Sequence, residues 1–190
     1  MEGRIHSLYL GLVSLFILLS IGEAFSSSTQ VETLSVDGKE LILNGRGIRT
    51  KTFLKIKVYE GKLFLLKKSS EVSEVLKSSG PKHIQMSFFR NVGKEKIQNA
   101  WKEGFERVYE EDESKLKAVS KQLNELNGLM VDFSEHDIMA VSFYDSYVMV
   151  KVKDAPLKKI EGEAFSKGLF SLWFVNAEDE GLMNGLLGKS

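Results

Sequence analysis

Arg49 and Tyr59 are the two residues of this chain whose types and spacing best suit chemistry. Arg49 follows a glycine-bounded stretch, Asn44-Gly45-Arg46-Gly47, and Tyr59 lies ten residues on, at the same strand parity if the ladder between them is unbroken. On one sheet face a guanidinium and a phenol can converge on a carboxylate or phenolate, the first through its planar two-point fork and the second through its hydroxyl. A plainer assignment stays open beside it. Arg49 is then a solvated or salt-bridged strand residue alongside Lys55 and Lys57, and Tyr59 fills the edge of the core.

Other chemistries are excluded more firmly. The chain has no cysteine, which removes disulfides, thiolate metal sites and cysteine nucleophiles. Of its histidines only His83 and His136 lie beyond the first thirty residues, and neither has a metal-ligand spacing around it, so no metal is expected. Gly-x-Ser-x-Gly and Walker spacings are absent, Gly45-Arg46-Gly47 lacks the third glycine of a dinucleotide fingerprint, and no cofactor is expected. Lys and Arg together number 26, as do Asp and Glu, so the formal net charge is zero and no broad footprint for nucleic acid or an anionic membrane is expected.

The elements that must position Arg49 and Tyr59 follow from periodicity. Val31 to Val36 and Lys39 to Leu43 flank Asp37-Gly38, a type I′ hairpin turn. The glycines after Asn44 mark a bend or bulge, and Leu54, Ile56 and Val58 then share one parity in a long strand from Thr52 to Leu66, with a bulge at Gly61 where parity switches. Ser69 or Ser70 caps a short helix that Gly80-Pro81 closes. Ile84, Met86 and Phe88 alternate as a strand. Ile97, Trp101, Phe105 and Val108, then Leu116, Val119, Leu123 and Leu126, follow helical spacing, split by an acidic junction at Glu110 to Ser114. Asp137 to Tyr144, Tyr147 to Lys153 and Leu157 to Ile160 read as an antiparallel meander, followed by helical stripes through Phe165 to Trp173 and Leu182 to Leu187. The fold class is α+β, helices layered on a mainly antiparallel sheet.

The first residues read as targeting. Leu8 to Ile21 is apolar, follows Arg4, and is shorter than the ~20 residues of a spanning helix, which fits a signal peptide. Small residues place the cut after Ala24, or after Ser26. Residues 1–24 are therefore expected to be a signal peptide, 25–30 a polar leader and 31–190 one domain, exported to a periplasm or secreted, with no integral membrane segment after cleavage.

Several stretches together resemble the bacterial branch of the chalcone isomerase-like family: Leu43 to Arg49, Phe53 to Tyr59, Met86 to Val92, Glu95 to Phe105, Ile160 to Phe165, Leu172-Trp173 and Gly185 to Gly188. The resemblance implies an open-faced β-sandwich with a ligand cleft between a large antiparallel sheet and its helices. The family includes plant enzymes that close chalcones to flavanones, plant relatives that bind fatty acids, and exported bacterial members. It implies that Arg49 matches the arginine that assists cyclisation in the enzymes and holds the carboxylate in the binders, with Tyr59 as its partner. The tyrosine and asparagine that assist the plant enzymes fall near Gly93 and at Ala100, with Asn99 one residue off and rotated ~100° around a helix. The expected function is non-catalytic binding of a small apolar ligand with an anionic, fatty-acid-like head at Arg49 and Tyr59. The alternatives are an intramolecular lyase acting on a conjugated carbonyl through the same two residues, and an interaction module whose cleft is closed by Met86, Phe88 and Trp101.

Overall fold

A computed structural model describes residues 31–110 and 112–189. The signal peptide and polar leader expected over residues 1–30 lie outside the described residues. Seven strands follow one another in a single antiparallel sheet whose spatial order is the chain order. They are β1 (Thr33–Val36), β2 (Lys39–Lys51), β3 (Ile56–Leu65), β4 (Lys82–Phe88), β5 (Ile138–Phe143), β6 (Tyr147–Val152) and β7 (Lys158–Glu161). Five helices complete the described chain: α1 (Val72–Lys77), α2 (Lys94–Val108), α3 (Glu113–Leu129), α4 (Glu163–Ser171) and α5 (Glu180–Leu186). This is the α+β class expected from the alternation of strand and helix periods, in the open-faced arrangement that the resemblance implies.

Period-two burial sets the main face of the sheet. Along β4, Lys82, Ile84, Met86 and Phe88 are buried while His83, Gln85 and Ser87 are half-exposed. The buried set meets Ile97, Trp101 and Phe105 of α2, Val119 and Leu126 of α3, and Phe165, Leu169 and Trp173 at and after α4, in one continuous core. A smaller cluster of Val36, Leu41 and Phe64 packs separately, with Leu34, Leu43 and Tyr144 around it. The sheet curls far enough for the Tyr144 hydroxyl, at the end of β5, to donate to Asp37 in the β1–β2 turn at 2.5 Å.

Local signals locate most ends. Asp37 and Gly38 both have positive φ, +48° and +72°, as the type I′ turn requires. Asp112 caps α3 by accepting from the amides of Ser114 and Lys115 at 3.0 and 3.2 Å, which gives the acidic junction its structural role. The Ser114 hydroxyl, which also donates to Asp112 at 2.7 Å, and then the Lys115 amide hold its carboxyl down at about 2.

Three expectations need correction. The long strand from Thr52 to Leu66 is shorter at its start, because Thr52 and Lys55 take positive φ values of +66° and +49° and the Lys55 amide donates back to the Thr52 carbonyl. Residues 52–55 are thus the tip of the β2–β3 hairpin, and Leu54 belongs to no buried face. The parity switch in β3 occurs at Val58 instead of Gly61: Arg49 pairs with Tyr59 and Thr50 with Lys57, which leaves Val58 unpaired, whereas Gly61 sits in regular register opposite Gly47. Finally, Glu71 and not a serine occupies the N-cap position of α1, and its side chain makes no capping hydrogen bond. Ser69 contributes by accepting from the Glu71 amide at 3.1 Å.

Candidate functional site

Asn44-Gly45-Arg46-Gly47 does not end a strand; β2 continues through it, with a bulge between Leu43 and Gly45. Its glycines are needed because α5 lies directly on the strand. A Cβ on Gly45 would stand 2.2 Å from the Gly185 carbonyl oxygen, and one on Gly47 would stand 2.5 Å from that of Leu182. From the other side, a Cβ on Gly185 would meet the Arg46 carbonyl oxygen at 2.5 Å. Buried Asn44 locks the contact: its amide nitrogen donates to the carbonyls of Leu186 (2.8 Å) and Ser69 (3.0 Å), and its oxygen accepts from the Ser69 amide (2.8 Å).

That contact carries the beginning of α5 to the end of β2, where Arg49 lies. Asp179 caps α5 by accepting from the Leu182 amide at 2.9 Å, and its other oxygen accepts from the amide and hydroxyl of Thr50 at 2.8 and 3.0 Å. Arg49 pairs with Glu178 at 2.5 Å and with Asp179 at 3.4 Å, its side chain only 11% exposed. Glu178 also pairs with Lys51 and, at 3.4 Å, with Arg107 of α2. Burial alone would raise both carboxyls, but the hydrogen bonds from Lys51 and Arg49 to Glu178, and from Thr50 and Leu182 to Asp179, outweigh it and hold both below their ordinary range.

Tyr59 stands directly across from Arg49 on β3. The two are brought together as cross-strand partners in a hairpin, not as residues of like parity along one unbroken strand. The Trp173 indole N–H donates to the Tyr59 hydroxyl at 3.2 Å, and that hydroxyl donates to none of the described residues. Burial pushes the phenol up to about 12, against smaller opposing effects from Trp173 and Arg49, so it stays protonated at physiological pH. Its ring packs on Phe88, and Trp173 packs edge-on to Trp101.

These residues border a cleft of about 350 Å³ between the sheet and α2. Val58, Met86, Phe88, Ile97, Trp101 and Leu172 wall it with apolar surface. Met86, Phe88 and Trp101 therefore line the space without filling it. Arg90 and Lys96 also border the cleft, on the loop after β4 and in the first turn of α2, and pair with no carboxylate among the described residues. Sequence reasoning did not single out Glu178, Asp179, Arg107, Arg90 or Lys96. Nothing local marks them, because they reach the cleft from three separate segments, the loop after β4, α2 and the residues before α5. Gly93 is the residue before α2, Ala100 borders the cleft, and Asn99 is exposed and does not border it.

The chain matches the chalcone isomerase-like family over residues 24–188. Among solved structures it is similar to a fatty-acid binding protein of Arabidopsis thaliana, with 11% identity and a TM-score of 0.59 over 83% of this chain and 97% of that one. Comparison with curated protein sequences gave no match.

Proposed function

Because the chain belongs to the chalcone isomerase-like family, which holds both enzymes and non-catalytic fatty-acid binders, we propose that it binds a fatty-acid-like amphiphile, tail in the cleft and carboxylate at Arg49. The observation that carries this reading is the charge arithmetic at one end of an apolar cleft. Three cations, Arg49, Lys51 and Arg107, share two carboxylates, Glu178 and Asp179, so the cluster has room for one more anion. Beside it the protonated Tyr59 hydroxyl has a hydrogen left to donate. An incoming carboxylate takes the place of Glu178 on Arg49, while Glu178 keeps Lys51 and Arg107. Burial of the tail supplies about 0.8 kcal/mol per methylene. A cleft of about 350 Å³ lies within the range of small-ligand sites.

The test is thermal melting with and without a long-chain fatty acid. The wild type is expected to rise in melting temperature, and Arg49→Ala to lose about 10- to 100-fold in affinity with its charge-assisted clamp. Absence of any shift in the wild type overturns the reading. In the same preparations, decay of chalcone absorbance is expected to proceed no faster with wild type than with Arg49→Ala, since Ala100 stands where the plant enzymes carry their asparagine and Asn99 does not border the cleft. A rate that depends on Arg49 would favour the lyase reading instead.

Export is part of the proposal. Its support is the apolar run from Leu8 to Ile21 with small residues behind it. Mass spectrometry of the native protein is expected to show a chain beginning at Phe25 or Ser27.

A further inference from the structure

The tip of the β2–β3 hairpin exposes apolar side chains that no described residue covers. Phe53 is 91% exposed and Leu54 66%, and Ile56 and Phe89 beside them are also exposed. The Phe89 amide donates to the Val58 carbonyl at 2.9 Å, so the loop after β4 lies against the base of this hairpin. The tip is therefore continuous with a second exposed aromatic.

Its charge is one-sided. Lys51, Lys55 and Lys57 flank the apolar pair, and no acid occurs from Arg49 to Tyr59. Arg90, Lys94 and Lys96 add positive charge on the adjoining loop and helix start. Of these six cations only Lys51 has a carboxylate partner among the described residues. The acids nearby are Glu178 and Asp179, both already paired, Asp132, which accepts from the Lys94 amide, Asp137, paired with Lys153, Glu135 on the segment that bonds Phe88, and Glu95, the one acid between Phe88 and Ile97. Lys51, Thr52, Ile56, Arg90 and Lys96 also border the cleft, so the tip is part of its rim.

We propose that this tip docks on the surface of an anionic lipid bilayer, with Phe53 and Leu54 among the acyl chains and the lysines and Arg90 at the headgroups, which opens the rim of the cleft onto the lipid. Aromatic and aliphatic side chains ringed by basic ones fit the interface of an anionic membrane, where each cation near the surface adds to the attraction. A soluble anion would satisfy the lysines but would leave a phenylalanine in water. The cleft reading and the tip reading can fail separately, since the melting shift reports on the first and vesicle binding on the second.

The test uses the full chain and vesicles of phosphatidylcholine alone or mixed equally with phosphatidylglycerol. Because the apolar run near the amino terminus can itself bind lipid, the readout is local: a tryptophan introduced as Phe53→Trp, with the emission of the unsubstituted protein subtracted. Its emission is expected to shift to the blue and to be quenched by brominated acyl chains on the phosphatidylglycerol vesicles, and to do neither on phosphatidylcholine alone. Adding Lys55→Glu and Lys57→Glu to Phe53→Trp is expected to weaken this signal at least tenfold in lipid concentration, with the melting temperature checking that the variant is folded. An unchanged spectrum on anionic vesicles, or equal signals with and without the charge reversals, overturns the proposal. So does a blue shift that appears without lipid and grows with protein concentration, which would assign the tip to a protein partner.

Discussion

Arg49 has two competing uses. Its guanidinium is held by Glu178 and Asp179, which fixes the start of α5 against the end of β2, and the same atoms face the cleft where an anionic head would bind. Under the proposed function, Glu178 occupies the position that a ligand carboxylate would take. Glu178→Gln is expected to strengthen fatty-acid binding by about fivefold, the worth of a partly exposed ion pair, which titration of ligand against the two proteins would measure. Tyr59→Phe is expected to weaken binding and also to cost about 1 kcal/mol in urea unfolding, because it removes the acceptor of the Trp173 indole N–H. Arg49 and Tyr59 were both legible as polar residues of a strand region, but the carboxylates were not. Glu178 is far away along the chain, and only the packing of α5 on β2 brings it to Arg49.

The contact between β2 and α5 is the structural purpose of the glycine stretch, and it is unusually intolerant. Gly45→Ala places a methyl group 2.2 Å from a carbonyl oxygen of α5, far inside van der Waals contact, and the atoms it meets are all backbone, with no flexible side chain to yield. Its cost is expected to exceed about 3 kcal/mol in denaturant unfolding, beyond ordinary overpacking. Asn44→Ala is expected to cost roughly 1–3 kcal/mol, since it strands the polar groups of Leu186 and Ser69 that Asn44 satisfies. Both variants should also weaken ligand binding, because α5 brings Leu182 to the wall of the cleft. At this scale the sequence was informative about which segments are strands and helices and less so about ends. Leu54, Ile56 and Val58 alternate like a buried strand face, yet Leu54 is exposed at a hairpin tip. Alternation records where side chains would point if the chain stayed extended, and it carries no sign of the positive φ at Thr52 that turns it.

For the molecule as a whole, acid is expected to destabilise in two stages. His83, half-buried on β4 beside Ser142, is lowered by burial from 6.5 to about 4, so between those values the unfolded chain takes up a proton that the folded chain does not. Stability accordingly falls as pH drops through this window, by roughly 2–3 kcal/mol at its lower end. Glu178 and Asp179, both held below their ordinary range, contribute stability above it that is lost as pH falls further. Urea titrations from neutral pH downward should show both stages, and His83→Gln should remove only the first.

Zero net charge implies no broad electrostatic field, and it is compatible with a basic hairpin tip, because a sum over 190 residues says nothing about where the charges lie. Composition and periodicity by themselves determined a cysteine-free α+β domain with helices on an antiparallel meander, since burial on one face imposes a repeat of two or 3.6 on the residues that make it. Tertiary structure alone decided that Arg49 is already paired, that three cations share two carboxylates beside an apolar cleft, and that the glycines serve a helix from the far end of the chain. Those facts depend on contacts between residues more than a hundred positions apart, and the cost of bringing such segments together is met by packing that no local pattern records.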